Sequence, residues 1–153
     1  MKNLFLTVLI IFLSFGLGKA QIYKKADSLY YDKEDNLYTG TYTEYFPNGN
    51  KQVELSLKNG EKDGLTFTYY QNGQVCEQQS FKTGVPDGEW ISYTGNGKKT
   101  AIAHYIHGKK DGEWFIWDKN GTLRFKMYYA KNQKTGVWEM YDKNGKLINK
   151  KVY

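Results

Sequence analysis

The stretch DGEWFIWDKNG, Asp111–Gly121, sets Trp114, Phe115, Ile116 and Trp117 between two glycine-containing turns. Side chains alternate between the faces of a strand, so four large apolar residues in a row predict a strand that is aromatic on both sides. The stretch is one of several near-copies. Gly40, Gly64, Gly88, Gly112 and Gly136 stand 24 residues apart, as do the Asn-Gly pairs ending at Gly49, Gly73, Gly97, Gly121 and Gly145. A third series, Gly60, Gly84, Gly108 and Asn132, keeps the same step and ends on a residue that tolerates positive φ.

These series divide residues 37–153 into five repeats: 37–60, 61–84, 85–108, 109–132 and 133–153. The prolines fall in FPNG, Phe46–Gly49, and VPDG, Val85–Gly88; both motifs predict a hairpin closed by a type I turn plus bulge. DKNG, at Asp118–Gly121 and Asp142–Gly145, fits the same turn with Asp accepting backbone hydrogen bonds. Between turns lie two extended segments of about six and about ten residues, rich in Tyr, Trp, Phe, Val and Ile. Residues 21–36 read as an opening cap in which SLYY, DKEDN and LYTG are strand, turn and strand. The expected fold class is all-β: an elongated, single-layer antiparallel meander of stacked hairpins, each touching only its neighbours.

In the first segments Trp90, Trp114 and Trp138 fall on one face, and Tyr45, Tyr69, Tyr93, Trp117 and Tyr141 on the other. In the second segments Val53, Leu55 and Leu57 share a face, as do Ala101, Ala103 and Tyr105, and Phe125, Met127 and Tyr129; repeat two departs with Glu77 and Gln79. The tryptophans are expected about 10 Å apart at two-strand steps. Such a flat ladder suits stacking on an extended glycan; the plainer expectation is that the rings cover a sheet that lacks a second layer.

The core G-x-W-x-x-Y, followed by N-G and then an aromatic residue two positions before a glycine, resembles the bacterial variant of the MORN repeat, with Tyr42 and Thr66 in the tryptophan position of the first two copies. The resemblance covers roughly residues 37–153 and implies a twisted single-layer sheet. Many bacterial proteins of this kind are grouped as YwqK-type antitoxins, and eukaryotic MORN proteins are similar to scaffolds or membrane-associated interaction modules.

Residues 1–20 read as a secretory signal peptide: Lys2, an apolar run Leu4–Leu17, then Gly18 and Ala20 before Gln21. The run is shorter than the roughly 20 apolar residues of a spanning helix, so cleavage near Ala20, no remaining transmembrane anchor, and a periplasmic or secreted protein are expected. Losing Lys2 and Lys19 and no acid lowers the formal net charge from +6 to +4. No basic helix or ribonucleoprotein motif accompanies that charge, so no nucleic-acid partner is expected. A single cysteine, Cys76, excludes an internal disulfide.

Catalytic, metal and cofactor sites are not expected. His104 and His107 are three apart, which on a strand sets them on opposite faces. Cys76 lacks a neighbouring His, and Asp63, Asp87 and Asp111 each precede a turn glycine, where local hydrogen bonding is the expected role. The DKNG and DKEDN stretches lack a calcium loop's glycine spacing and final Glu, and Asn120 of the sequon Asn120-Gly121-Thr122 belongs to the turn series. The expectation is a non-enzymatic module binding an unknown protein partner through Trp90, Trp114, Trp117, Trp138, Tyr93 and Tyr141. The alternative is an envelope glycan or lipid binder using the tryptophans or Lys109, Lys110, Lys126, Lys150 and Lys151, and an antitoxin-like neutraliser of a partner is a further one.

Overall fold

The computed structural model describes residues 21–153; the signal-sequence reading of residues 1–20 lies outside the described residues. The described residues hold fourteen strands in chain order. A small hairpin, β1 (Tyr23–Lys24) with β2 (Tyr30–Tyr31), forms its own sheet. The large sheet holds β3 (Gly40–Tyr45), β4 (Lys51–Lys58), β5 (Glu61–Tyr69), β6 (Val75–Lys82), β7 (Val85–Pro86), β8 (Gly88–Tyr93), β9 (Lys99–Ile106), β10 (Lys109–Lys110), β11 (Gly112–Trp117), β12 (Leu123–Ala130), β13 (Gln133–Tyr141) and β14 (Leu147–Val152). Its ten long strands lie in sequence order, and the two-residue β7 and β10 extend the ladders of β6 and β9. The all-β hairpin meander expected from the spacing is therefore observed, without helices among the described residues.

Two turn chemistries alternate. At the Asn-Gly end, Phe46 and Asn50 pair and Gly49 N–H donates to Phe46 C=O at 2.9 Å, with Gly49 at φ 86°. This is the type I turn plus bulge read from FPNG, and it recurs at Asp118–Gly121, where Asp118 Oδ1 accepts from the N–H groups of Asn120 and Thr122. The other end differs from expectation. VPDG is not a turn: Val85 and Pro86 pair with Lys82 and Phe81 in the sheet. The reversal is the dipeptide before them, with Thr83 at φ 49° and Gly84 at φ 74°. Two successive positive φ angles make a type I′ turn, whose twist matches the flanking strands. Asn59-Gly60, His107-Gly108 and Lys131-Asn132 repeat it.

The aspartates before the turn glycines reach further than expected. Asp63, Asp87 and Asp111 accept from the N–H groups of Thr83, His107 and Lys131, twenty residues on, at 3.0–3.1 Å. Each carboxylate thus ties the start of its repeat to the type I′ turn that ends it, instead of serving the turn beside it. At the opposite end Asn48 and Asn72 side-chain amides donate to Gln71 and Gly95 carbonyls at 2.8 and 2.7 Å.

A single layer buries little. Leu55, Leu57, Ile91 and Met127 are the buried apolar residues, and Thr66, in the tryptophan position of its repeat, is 2 % exposed. The opening cap contains the extra strand β1, which the sequence reading lacked; it bends back so that Tyr30 C=O accepts from Tyr38 N–H and Leu37 packs against Gly60. This hairpin caps the turn end of the first repeat, where Tyr30 N–H donates to Gly60 C=O at 2.9 Å.

Candidate binding surface

The tryptophan face is built from two residues per repeat. Trp90 and Trp114 stand opposite Ala103 and Met127, while Tyr105 stands opposite Gly88 and Tyr129 opposite Gly112. Each tyrosine ring lies between successive tryptophans. The result is a continuous stack: Phe81, Trp90, Tyr105, Trp114, Tyr129, Trp138 and Tyr153, with centroid separations of 4.7–5.4 Å and interplanar angles of 46–60°. These are tilted, edge-to-face arrangements, each contributing about 0.5–1.5 kcal/mol beyond area burial.

Each indole also anchors the sheet. Nε1 of Trp90, Trp114 and Trp138 donates to the backbone carbonyl ten residues before it, of Ser80, His104 and Tyr128, at 3.0, 3.2 and 2.9 Å. Lysine ammoniums lie over the rings: Lys62 over Phe81 at 4.6 Å, Lys110 over Trp114 at 4.7 Å and Lys134 over Trp138 at 4.6 Å. Burial raises the hydroxyl pKa of Tyr105 and Tyr129, and burial followed by the charge of Lys24 lowers the ammonium pKa of Lys62. The rings do not form the flat ladder of the glycan-stacking expectation: a tyrosine lies between successive tryptophans and the rings tilt against one another.

The opposite face carries the other predicted residues. Trp117 stacks on Phe115 at 5.6 Å and 24°, away from the other three tryptophans. Tyr93 occupies the same repeat position as Trp117, and Tyr141 donates to Glu139 at 2.6 Å. One row crosses this face: Phe67, Gln78, Ile91, Ile102, Phe115, Lys126, Glu139 and Lys150 are successive direct partners. Its middle is apolar and its far end charged, with Lys126 3.3 Å from Glu113 and Lys150 2.9 Å from Glu139. Hydrogen bonds from Tyr128 and Lys126 lower the carboxyl pKa of Glu113, and those from Tyr141 and Lys150 lower that of Glu139.

Residues 38–59, 62–83, 86–107, 110–131 and 134–153 each match the MORN repeat variant. The chain belongs to the MORN repeat variant family. MORN repeats are in general protein- and membrane-interaction modules, and the family is in general non-enzymatic. No curated protein matches the chain.

An apolar groove of 340 Å³ lies in the last two repeats of the MORN sheet on the tryptophan face, lined by Ile116, Phe125, Met127, Trp138, Met140 and Tyr153 with Asn149, Lys151 and Glu139 at its rim. Ile116 and Met140 are each 38 % exposed, so the groove is open. The three groups of predicted residues thus part: Trp138 borders the groove, Trp90 and Trp114 lie deeper in the stack, and Trp117, Tyr93 and Tyr141 face away. Sequence reasoning missed Tyr153, Phe81, Lys62 and Lys134 as members of the surface and named Lys110 only for glycan or lipid binding. Their signal was the same 24-residue step, read from the strand opposite each glycine.

Among the described residues no group of three His, Cys, Asp or Glu side chains is placed to hold a metal, and no helix is long and apolar enough to cross a membrane. His104 Nε2 lies 3.4 Å from Glu89 and its Nδ1 2.6 Å from Glu113 C=O, while His107 lies 3.2 Å from Asp87, so the two imidazoles have separate partners. Cys76 is a half-buried free thiol.

Proposed function

We propose that the mature chain is an exported, non-enzymatic MORN module that binds another protein, with its contact centred on the last two repeats. The observation that carries this reading is the open apolar groove beside Trp138, where Ile116 and Met140 stay accessible in a sheet that has no second layer. Accessible apolar side chains ringed by polar ones are what an interface core requires, and Trp and Tyr dominate interface hot spots. Export is supported by the leader-like composition of residues 1–20. Binding that neutralises its partner is one form of this activity.

The test is affinity recovery from the native cell envelope with the chain from Gln21 onward, beside Ile116→Glu/Met140→Glu and Trp90→Ala/Trp114→Ala/Trp138→Ala variants, each checked by circular dichroism. The first variant leaves the aromatic stack intact, so its failure to recover a specific protein assigns the groove. Recovery of wall polymer or lipid instead, lost at high salt if the lysines carry it, would put glycan or lipid binding in place of the proposal. Equal recovery by all forms overturns it.

A further inference from the structure

A second row of direct partners crosses the sheet on the tryptophan face, beside the aromatic stack. It runs from Glu77 through Ser92, Ala101, Ile116 and Phe125 to Met140. In the other direction Thr68 and Val53 lead from Glu77 to Glu44. Two 24-residue series make up the row, so its chemistry changes from repeat to repeat while its spacing does not. Ile116, Phe125 and Met140 line the apolar groove. Ser92 and Ala101 carry small side chains, so the row is low between the groove and Glu77 and forms a shallow trough there.

Glu77 is where the second repeat departs from the others: the first, third and fourth have Val53, Ala101 and Phe125 at that position. The side chain is half-buried, and Gln79 Nε2 donates to its Oε2 at 3.2 Å. The Tyr42 hydroxyl donates to Glu44. Among the described residues neither carboxylate is in an ion pair, and the row from Glu44 to Met140 contains no Lys, Arg or His. The opposite face is different, because Glu113 and Glu139 already have Lys126 and Lys150 at 3.3 and 2.9 Å. A carboxylate taken partly out of water is stabilised by a cation that meets it, so the acidic end of the row is complementary to a positive charge.

We propose that this row seats an extended segment of the partner protein, with an Arg or Lys against Glu77 and a large apolar side chain in the groove at Ile116 and Phe125. Neighbouring strands are about 4.8 Å apart, which sets Ile116 about 14 Å and Phe125 about 19 Å from Glu77 along the row. An extended chain rises about 3.3 Å per residue and turns alternate side chains to one side, so the two partner residues stand about four or six positions apart. Row against row, a second copy of this chain brings no cation to Glu77, and an anionic surface is repelled by Glu44 and Glu77. The proposal rests on the protein-binding reading above and names the partner's chemistry and the line along which it lies.

The probe is a synthetic peptide of Ser and Thr with one Arg and a Leu four residues after it, titrated into the purified protein and followed by NMR amide shifts, with a Glu-for-Arg peptide as control. Glu77→Val and Ala101→Phe each install the residue that a neighbouring repeat has at that position, and circular dichroism verifies the fold. The expected result is binding of the Arg peptide alone, with shifts at both Ser92 and Ile116. Glu77→Val weakens it about tenfold, the size of a lost charge-assisted hydrogen bond, and Ala101→Phe weakens it by filling the trough. In Glu77→Lys the preference reverses to the Glu peptide. Arg-peptide binding unchanged in Glu77→Val overturns the proposal, as does no binding of that peptide at all. A concentration-dependent dimer lost in Glu77→Lys also overturns it, giving the row to a second copy. An envelope protein recovered equally by wild type and Glu77→Lys upholds the interaction module and sinks the row alone; no recovered protein sinks the module reading itself.

Discussion

Trp114 Nε1 donates to the main-chain carbonyl of His104 at 3.2 Å, across the boundary between the third and fourth repeats. The same indole sits between Tyr105 and Tyr129, at 5.4 and 5.1 Å. One side chain therefore holds two repeats together by a hydrogen bond and by ring packing, and the two contributions are separable. Trp114→Phe keeps a ring and removes the donor, so it is expected to lower stability by about 1 kcal/mol. Trp114→Ala removes both, with an expected loss of about 3 kcal/mol for a large, part-buried aromatic. Urea denaturation of the two variants measures the difference; equal losses would mean that the hydrogen bond alone matters.

Thr66 occupies the tryptophan position of the second repeat, is 2 % exposed, and its hydroxyl has no hydrogen-bond partner. A buried polar group without a partner costs about 1–3 kcal/mol. Thr66→Val keeps the shape and removes the hydroxyl, so the midpoint of unfolding is expected to rise. A lower midpoint would show that the hydroxyl is satisfied in solution.

Thr83 holds φ 49° in a type I′ turn, a conformation costly for a β-branched residue and readily adopted by Asn. Thr83→Asn preserves the N–H that donates to Asp63 and is expected to stabilise by about 0.5–1 kcal/mol. A melting scan of this variant beside Asn59→Thr, which moves the same chemistry the other way in the preceding repeat, gives shifts of opposite sign if the turn conformation is the cause.

Glu113 and Glu139 have carboxyl pKa values below the ordinary one, through hydrogen bonds from Tyr128 and Lys126 and from Tyr141 and Lys150. The unfolded chain then binds more protons than the folded one in the acid range. Their contribution to stability is present above the ordinary Glu value of about 4.3 and is lost as pH falls through the lower folded values. Thermal midpoints between pH 6 and pH 3 are expected to fall less steeply in Glu113→Gln/Glu139→Gln than in the wild type. Parallel curves would show that these exposed carboxylates do not link to folding.

The 24-residue step, the Asn-Gly turns and the assignment of Trp114 and Trp117 to opposite faces were all legible in the sequence, because strand alternation is a period of two and does not depend on distant residues. The VPDG motif was misread for a local reason. Proline followed by Asp-Gly is the signature of a type I turn, yet here the preceding Thr83-Gly84 reverses the chain and Pro86 sits in a short ladder. The long reach of Asp87 to His107, twenty residues away, was also beyond a reading that assigned each carboxylate to its own turn.

The sequence by itself determined the repeat length, the all-β class and which residues share a face, since these follow from chain geometry and turn chemistry within a few residues. The tertiary structure alone decided that tyrosines from neighbouring strands fill the gaps between tryptophans, converting a supposed flat ladder into a tilted stack. It also placed the groove beside Trp138. Those features depend on register and sheet closure, quantities set by pairing between strands and not by any single strand's pattern.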